Sequence, residues 1–119
     1  MKTAQELFAE ARQRITEVTP QEVQALRRDG AAFALVDVRE GNEWQMGRIP
    51  GATFIPRGVL EGTIEGRVPR ETPVVLYCAS GNRSALAADA LQRMGYTNVA
   101  SVAGGWRAWQ AAGAPVERD

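Results

Sequence analysis

The stretch PVVLYCASGNRSALAADALQRMG, residues 73–95, decides the fold. It passes from an apolar strand pattern through a loop of small and polar residues into a helical pattern stopped by Gly95. A strand that feeds directly into a helix is the building unit of an α/β sheet, whose ligands bind beyond the carboxyl ends of the strands. Cys78, the only cysteine in the chain, falls at such an end.

Upstream, residues 3–14 read as a helix, with Leu7, Phe8, Ala11 and Ile15 near helical spacing. ITEV is a short candidate strand. TPQEVQALRRDG then carries a full set of helix signals: Thr19 as N-cap, Pro20 at the first helical position, Glu22 completing a capping box, and Gly30 as the stop. AFALVDV reads as a buried strand of a parallel sheet. REGNEWQMG is a short helix closed by Gly47, and IPGATFIP a turn leading into another strand. Residues 57–72, rich in glycine and charge, predict a loop with one helical turn. Downstream, residues 83–94 form the helix of the opening stretch, NVASVA the last strand, and GGWRAWQAAG a helix entered through a glycine turn. The alternation predicts an α/β sandwich around a mostly parallel sheet. The expected division is a helical extension over 1–15, one domain over 16–116 and a frayed tail over 117–119.

Fourteen basic and fourteen acidic residues give a formal net charge of zero, so charge makes no case for nucleic acid or an acidic membrane. No segment has the length of a membrane span, and the N-terminus lacks the unbroken apolar stretch of a secretory signal; the expectation is a cytoplasmic protein. One cysteine forbids an intrachain disulfide and fits a reducing compartment. The chain contains no histidine. Cys–His dyads, Ser–His–Asp triads and Cys/His zinc sites are therefore impossible within it.

Activation of Cys78 must come from its loop. Gly81 and Asn82 tolerate backbone conformations that let the chain curl with its N–H groups inward, and such a nest binds anions. The following helix adds the positive end of its dipole. Ser80 or Ser84 offers a hydroxyl, and Arg83 a fixed positive charge. A thiolate there is stabilised without histidine. The competing reading, a small buried hydrophobe, is the usual state of a lone cysteine, and the placement at a strand end before a helix weighs against it.

The segment CASGNRS, residues 78–84, preceded by VVLY and followed by a helix, resembles the active-site loop of the rhodanese-like sulfurtransferases. Residues 35–56, LVDVREGNEWQMGRIPGATFIP, resemble that family's upstream signature, with Arg48 where histidine is usual. Residues 101–116, SVAGGWRAWQAAGAPV, resemble its C-terminal signature. The resemblance covers residues 16–116. It implies a three-layer α/β/α rhodanese-like fold with a central, mostly parallel five-stranded sheet. It also implies a cysteine persulfide cycle that needs no metal or organic cofactor: Cys78 takes sulfur from a small anionic donor such as thiosulfate and passes it to a thiol acceptor or, in vitro, to cyanide. Ala79, Ser80, Gly81, Asn82, Arg83 and Ser84 would form the cradle. Ala79 and Ser80 lack the basic side chains of some thiosulfate-using members, which leaves the donor open.

Two rival readings exist. Cysteine phosphatases and arsenate reductases use a similar cradle, but the phosphatase loop places arginine six positions after the cysteine, whereas Arg83 follows Cys78 by five. A non-catalytic binding module is the other, since a fold alone never establishes activity.

Asp37 and Arg39 match charged positions that in the family brace the loop from an adjacent strand; the alternative is Asp37 as a helix cap and Arg39 in solvent. Glu43 pairs with Arg39 or lies on the surface. Arg57 follows a strand end, as an anion-attracting residue at the mouth or a surface arginine without a role. Arg48 reads as structural. Trp106 and Trp109, at i and i+3, read as core. The Leu7, Phe8 and Ala11 stripe packs on the domain or supports a homodimer.

Overall fold

The computed structural model describes residues 1–119. Its sheet is built from β1 (Thr16–Val18), β2 (Ala34–Asp37), β3 (Thr53–Phe54), β4 (Val74–Tyr77) and β5 (Val99–Val102), in the order β1-β5-β4-β2-β3. Every pairing is parallel. The expectation of a mostly parallel sheet holds, with no antiparallel strand in it. The strand feeding Cys78, β4, is the central one.

Successive residues of β2 and β4 serve opposite faces, as the period of two requires. Val36, Leu76 and Cys78 enter one core with Leu60, Ile64, Ala87, Ala88 and Leu91. These come from α4 (Leu60–Ile64) and α5 (Asn82–Arg93). Leu35, Val75 and Tyr77 enter the other with Val23 and Trp109, from α2 (Pro20–Arg28) and α6 (Gly105–Ala111). Trp109 is fully buried, as its spacing predicted, whereas Trp106 is only partly so.

Local signals acted where expected. Thr19 and Glu22 form the capping box of α2, with Pro20 at its start. Gly47 closes α3 (Gly41–Met46). Residues 57–72 are more ordered than expected: a 3₁₀ turn over Arg57–Val59 runs into α4. The first helix, α1 (Ala4–Arg14), packs on α5. Arg14 holds Asp89 through two hydrogen bonds of 3.0 and 2.8 Å, and Gln92 donates to the Arg14 carbonyl. Leu7 stays exposed, while Ala11 is fully buried.

The tail, expected to fray, is held instead. Arg48 and Glu117 exchange backbone hydrogen bonds of 3.0 and 2.8 Å. The Arg48 guanidinium reaches Glu117 and Asp119 and lies over the Trp44 ring. This gives Arg48 a structural task. No helix is long and apolar enough to cross a membrane.

Candidate functional site

Cys78 follows β4, and the turn after it is governed by Gly81, whose φ of +98° lies in the left-handed region open to glycine. That turn wraps residues 79–81 back over the sulfur. The Gly81 N–H donates to Sγ at 3.1 Å, the Ser84 N–H at 3.4 Å and the Ser84 hydroxyl at 3.4 Å. The Ser84 N–H belongs to the first turn of α5, where backbone donors have no partner inside the helix. Here that orphan donor serves the sulfur, and the helix dipole acts in the same sense.

The carbonyls of the loop are turned the other way. Trp106 and Arg107, in the first turn of α6, donate their N–H groups to the carbonyls of Cys78 and Ala79 at 2.7 and 3.1 Å. Two helix N-termini thus divide the loop between them: α6 takes its acceptors, and α5 adds donors around the sulfur. The close approach depends on Gly105, at φ +55°, where a Cβ would stand 2.3 Å from the Cys78 carbonyl oxygen.

Cys78 is only 1% exposed, and that burial pushes its thiol up. The Ser84 hydroxyl and the N–H groups of Ser84, Ser80 and Gly81 pull it down further than burial raises it, leaving it below the ordinary thiol value. An inert buried thiol would show the opposite balance. The arrangement is a buried thiol inside a polar cradle whose donors favour its charged form over burial.

The remaining loop residues divide by partner. Ala79 and Ser80 form the half-buried crest. Asn82 accepts a 2.6 Å hydrogen bond from Arg12 of α1. The Arg83 guanidinium is a two-point pair with Glu43 of α3, at 2.9 and 3.2 Å. The fixed positive charge expected of it is therefore largely compensated, and Glu43 pairs with Arg83 rather than Arg39. Arg83 holds the Glu43 carboxyl below its usual range.

Asp37 and Arg39 form a buried ion pair, 0% and 2% exposed at their side chains. Arg39 donates to both Asp37 oxygens and to the Gly47 carbonyl. Neither alternative role, helix cap or solvated cation, survives: Glu40 caps α3. The guanidinium lies 4.7 Å from the Trp106 ring centroid and 5.5 Å from that of Tyr77. Tyr77 precedes Cys78 in the chain, and Trp106 donates to the Cys78 carbonyl, so the pair lies against two residues joined directly to the start of the loop. Arg57 stands apart. It hydrogen-bonds Val38 through its backbone at the carboxyl end of the sheet, but its guanidinium pairs with Glu61 at 2.8 Å and makes no hydrogen bond to residues 78–84.

Sequence reasoning missed Glu43 as the partner of Arg83, Arg12 as the partner of Asn82, and Ser101, whose hydroxyl lies 2.7 Å from that of Ser84. It also missed the part of α6 in holding the loop, although two adjacent glycines before a helix were its visible trace.

The family model for the rhodanese-like domain matches residues 19–112. The chain is 36% identical over 93 residues to "Probable adenylyltransferase/sulfurtransferase MoeZ" of Mycobacterium tuberculosis, covering 77% of this chain and 24% of that protein. It therefore spans about a quarter of that relative's length. It is 35% identical over 94 residues to thiosulfate sulfurtransferase GlpE of Pseudomonas savastanoi, covering 79% and 86% respectively. Among solved structures, a protein of unknown function from Rhodopseudomonas palustris, described as a "possible tyrosine phosphatase", superimposes with a TM-score of 0.88. It is 37% identical, with 98% of this chain and 96% of that one covered.

Proposed function

The chain belongs to the rhodanese-like domain family, and from that membership we propose that it is a sulfurtransferase in which Cys78 carries the sulfur. The observation that carries this reading is the cradle: two N–H groups and one hydroxyl within 3.4 Å of a sulfur whose neighbouring carbonyls are bound elsewhere. Such a site stabilises negative charge on one sulfur, and does the same for the anionic outer sulfur of a persulfide.

The cycle balances as two displacements. The Cys78 thiolate attacks the outer sulfur of a small anionic donor such as thiosulfate. The new S–S bond forms as the old one breaks, and sulfite departs with the electron pair. A thiolate acceptor, or cyanide in vitro, then takes the outer sulfur and returns Cys78 to thiolate. No external oxidant or reductant enters the balance, and no general base is needed once the thiol is ionised.

Phosphate-ester hydrolysis is the competing reading, supported by the description of the Rhodopseudomonas protein. Against it, Arg83 is engaged at both terminal nitrogens by Glu43 and follows Cys78 by five residues, so the guanidinium is not offered to a phosphate above the loop. Parallel assays with thiosulfate plus cyanide and with an aryl phosphate test the assignment. The expected result is thiocyanate formation that Cys78→Ser abolishes, with negligible phosphate release. Phosphate release exceeding thiocyanate formation, or sulfur transfer that persists in Cys78→Ser, overturns it.

A further inference from the structure

Ser101 lies on β5 in register with Leu76 of β4. On the core side of that row Leu76, Val36 and Val99 are apolar, and Glu17, in register with Ser101 on β1, is exposed and makes no hydrogen bond to it. A polar side chain in such a row needs a partner. Ser101 is fully buried, and its one hydrogen-bond partner is the equally buried Ser84 hydroxyl at 2.7 Å. Ser84 in turn lies 3.4 Å from Cys78 Sγ.

Each hydroxyl has a single proton, which leaves two arrangements. If Ser84 donates to Ser101, the Ser101 proton has no acceptor and the sulfur loses a donor. If Ser101 donates to Ser84, both protons are placed and the Ser84 proton lies on Cys78 Sγ. Leaving a buried donor unpaired costs more than a typical hydrogen bond returns, so the second arrangement prevails. We infer that Ser101 is a positioning residue of the site: its hydroxyl fixes the direction of the Ser84 proton toward Cys78 and, by polarising that hydroxyl, strengthens the bond to the thiolate. Ser101 touches neither the sulfur nor a substrate. This deepens the sulfurtransferase reading, yet the state of the thiolate can be measured whatever group Cys78 carries.

The test is the pH dependence of Cys78 alkylation by iodoacetamide, which is unambiguous because no other cysteine exists. Ser101→Ala adds no atom to the site and is expected to slow alkylation about three- to tenfold at pH values below the thiol midpoint, with the midpoint moved upward. Ser101→Thr, which keeps the hydroxyl, is expected to restore most of the rate. Ser84→Ala is expected to slow alkylation at least as far, and adding Ser101→Ala to it to change nothing more. A wild-type profile in Ser101→Ala, or a further drop in the double variant, overturns the inference. If the added methyl of threonine prevents folding, the comparison of Ser84→Ala with the double variant decides alone. Absence of sulfur transfer with an intact Ser101 effect would fault the proposed reaction and leave the relay standing.

Discussion

Replacing Gly105 with alanine would introduce a Cβ 2.3 Å from the Cys78 carbonyl oxygen and 3.0 Å from the Ala79 carbonyl carbon. Neither neighbour is a flexible side-chain end, so α6 has to move away from the loop. That movement breaks the hydrogen bonds from Trp106 and Arg107, worth about 0.5–1.5 kcal/mol each. The left-handed conformation costs alanine a further ~1–2 kcal/mol. The expected loss is therefore about 2–5 kcal/mol, a large share of the ~5–15 kcal/mol that holds a domain folded. Gly113→Ala is the matched control. Its φ of +70° imposes the same backbone cost, but a Cβ there meets nothing within 4 Å. Urea denaturation should thus show Gly105→Ala to be the less stable by about 1–3 kcal/mol. Its Cys78 should also alkylate with a raised midpoint, because released carbonyls no longer hold the loop donors on the sulfur. Equal stability losses with an unchanged thiol midpoint in both variants would refute the claim that α6 sets the cradle.

Asp37→Ala strands a buried guanidinium and should cost about 3–5 kcal/mol, with Arg39→Met in the same chain returning part of it in chemical denaturation. Glu43 has a depressed folded pKa, so its contribution is present above the ordinary glutamate value of about 4.3 and is lost as pH falls through the lower folded value. The stability gap between wild type and Glu43→Gln should therefore be flat from neutral pH to about 5 and close below about 4 in acid-denaturation curves. Asp89→Asn removes the carboxylate shared by Arg14 and Arg93, and limited proteolysis should then cut within the first fifteen residues faster than in wild type.

How much of this was legible in the sequence depends on the range of the interaction. The strand, glycine turn and helix around Cys78 rest on neighbours in sequence, and so does the Thr19–Glu22 box; both were readable directly. The strand pattern also placed Asp37 at a carboxyl end, where a buried carboxylate demands a partner, although the path from Arg39 through Tyr77 and Trp106 to the loop required the packed fold. Arg83–Glu43 spans 40 positions and Arg12–Asn82 spans 70, and no local pattern marks either pair. Ser101 was hidden because one serine hardly disturbs an apolar strand. Arg57 was misleading for the opposite reason: its position beside a strand end was right, but its i,i+4 partner Glu61 occupies the guanidinium. The order of the tail was not legible because its bridge partner, Arg48, lies 69 positions before Glu117.

The account stands on Cys78 as a sulfur carrier, and intact-protein mass spectrometry tests that most directly. After incubation with thiosulfate and removal of excess donor, the wild-type chain should gain about 32 Da, one sulfur atom, and lose it on addition of cyanide. Cys78→Ser should gain nothing. A wild-type mass unchanged by thiosulfate and by thiol-based sulfur donors alike, with the protein folded and Cys78 reduced, would contradict the account.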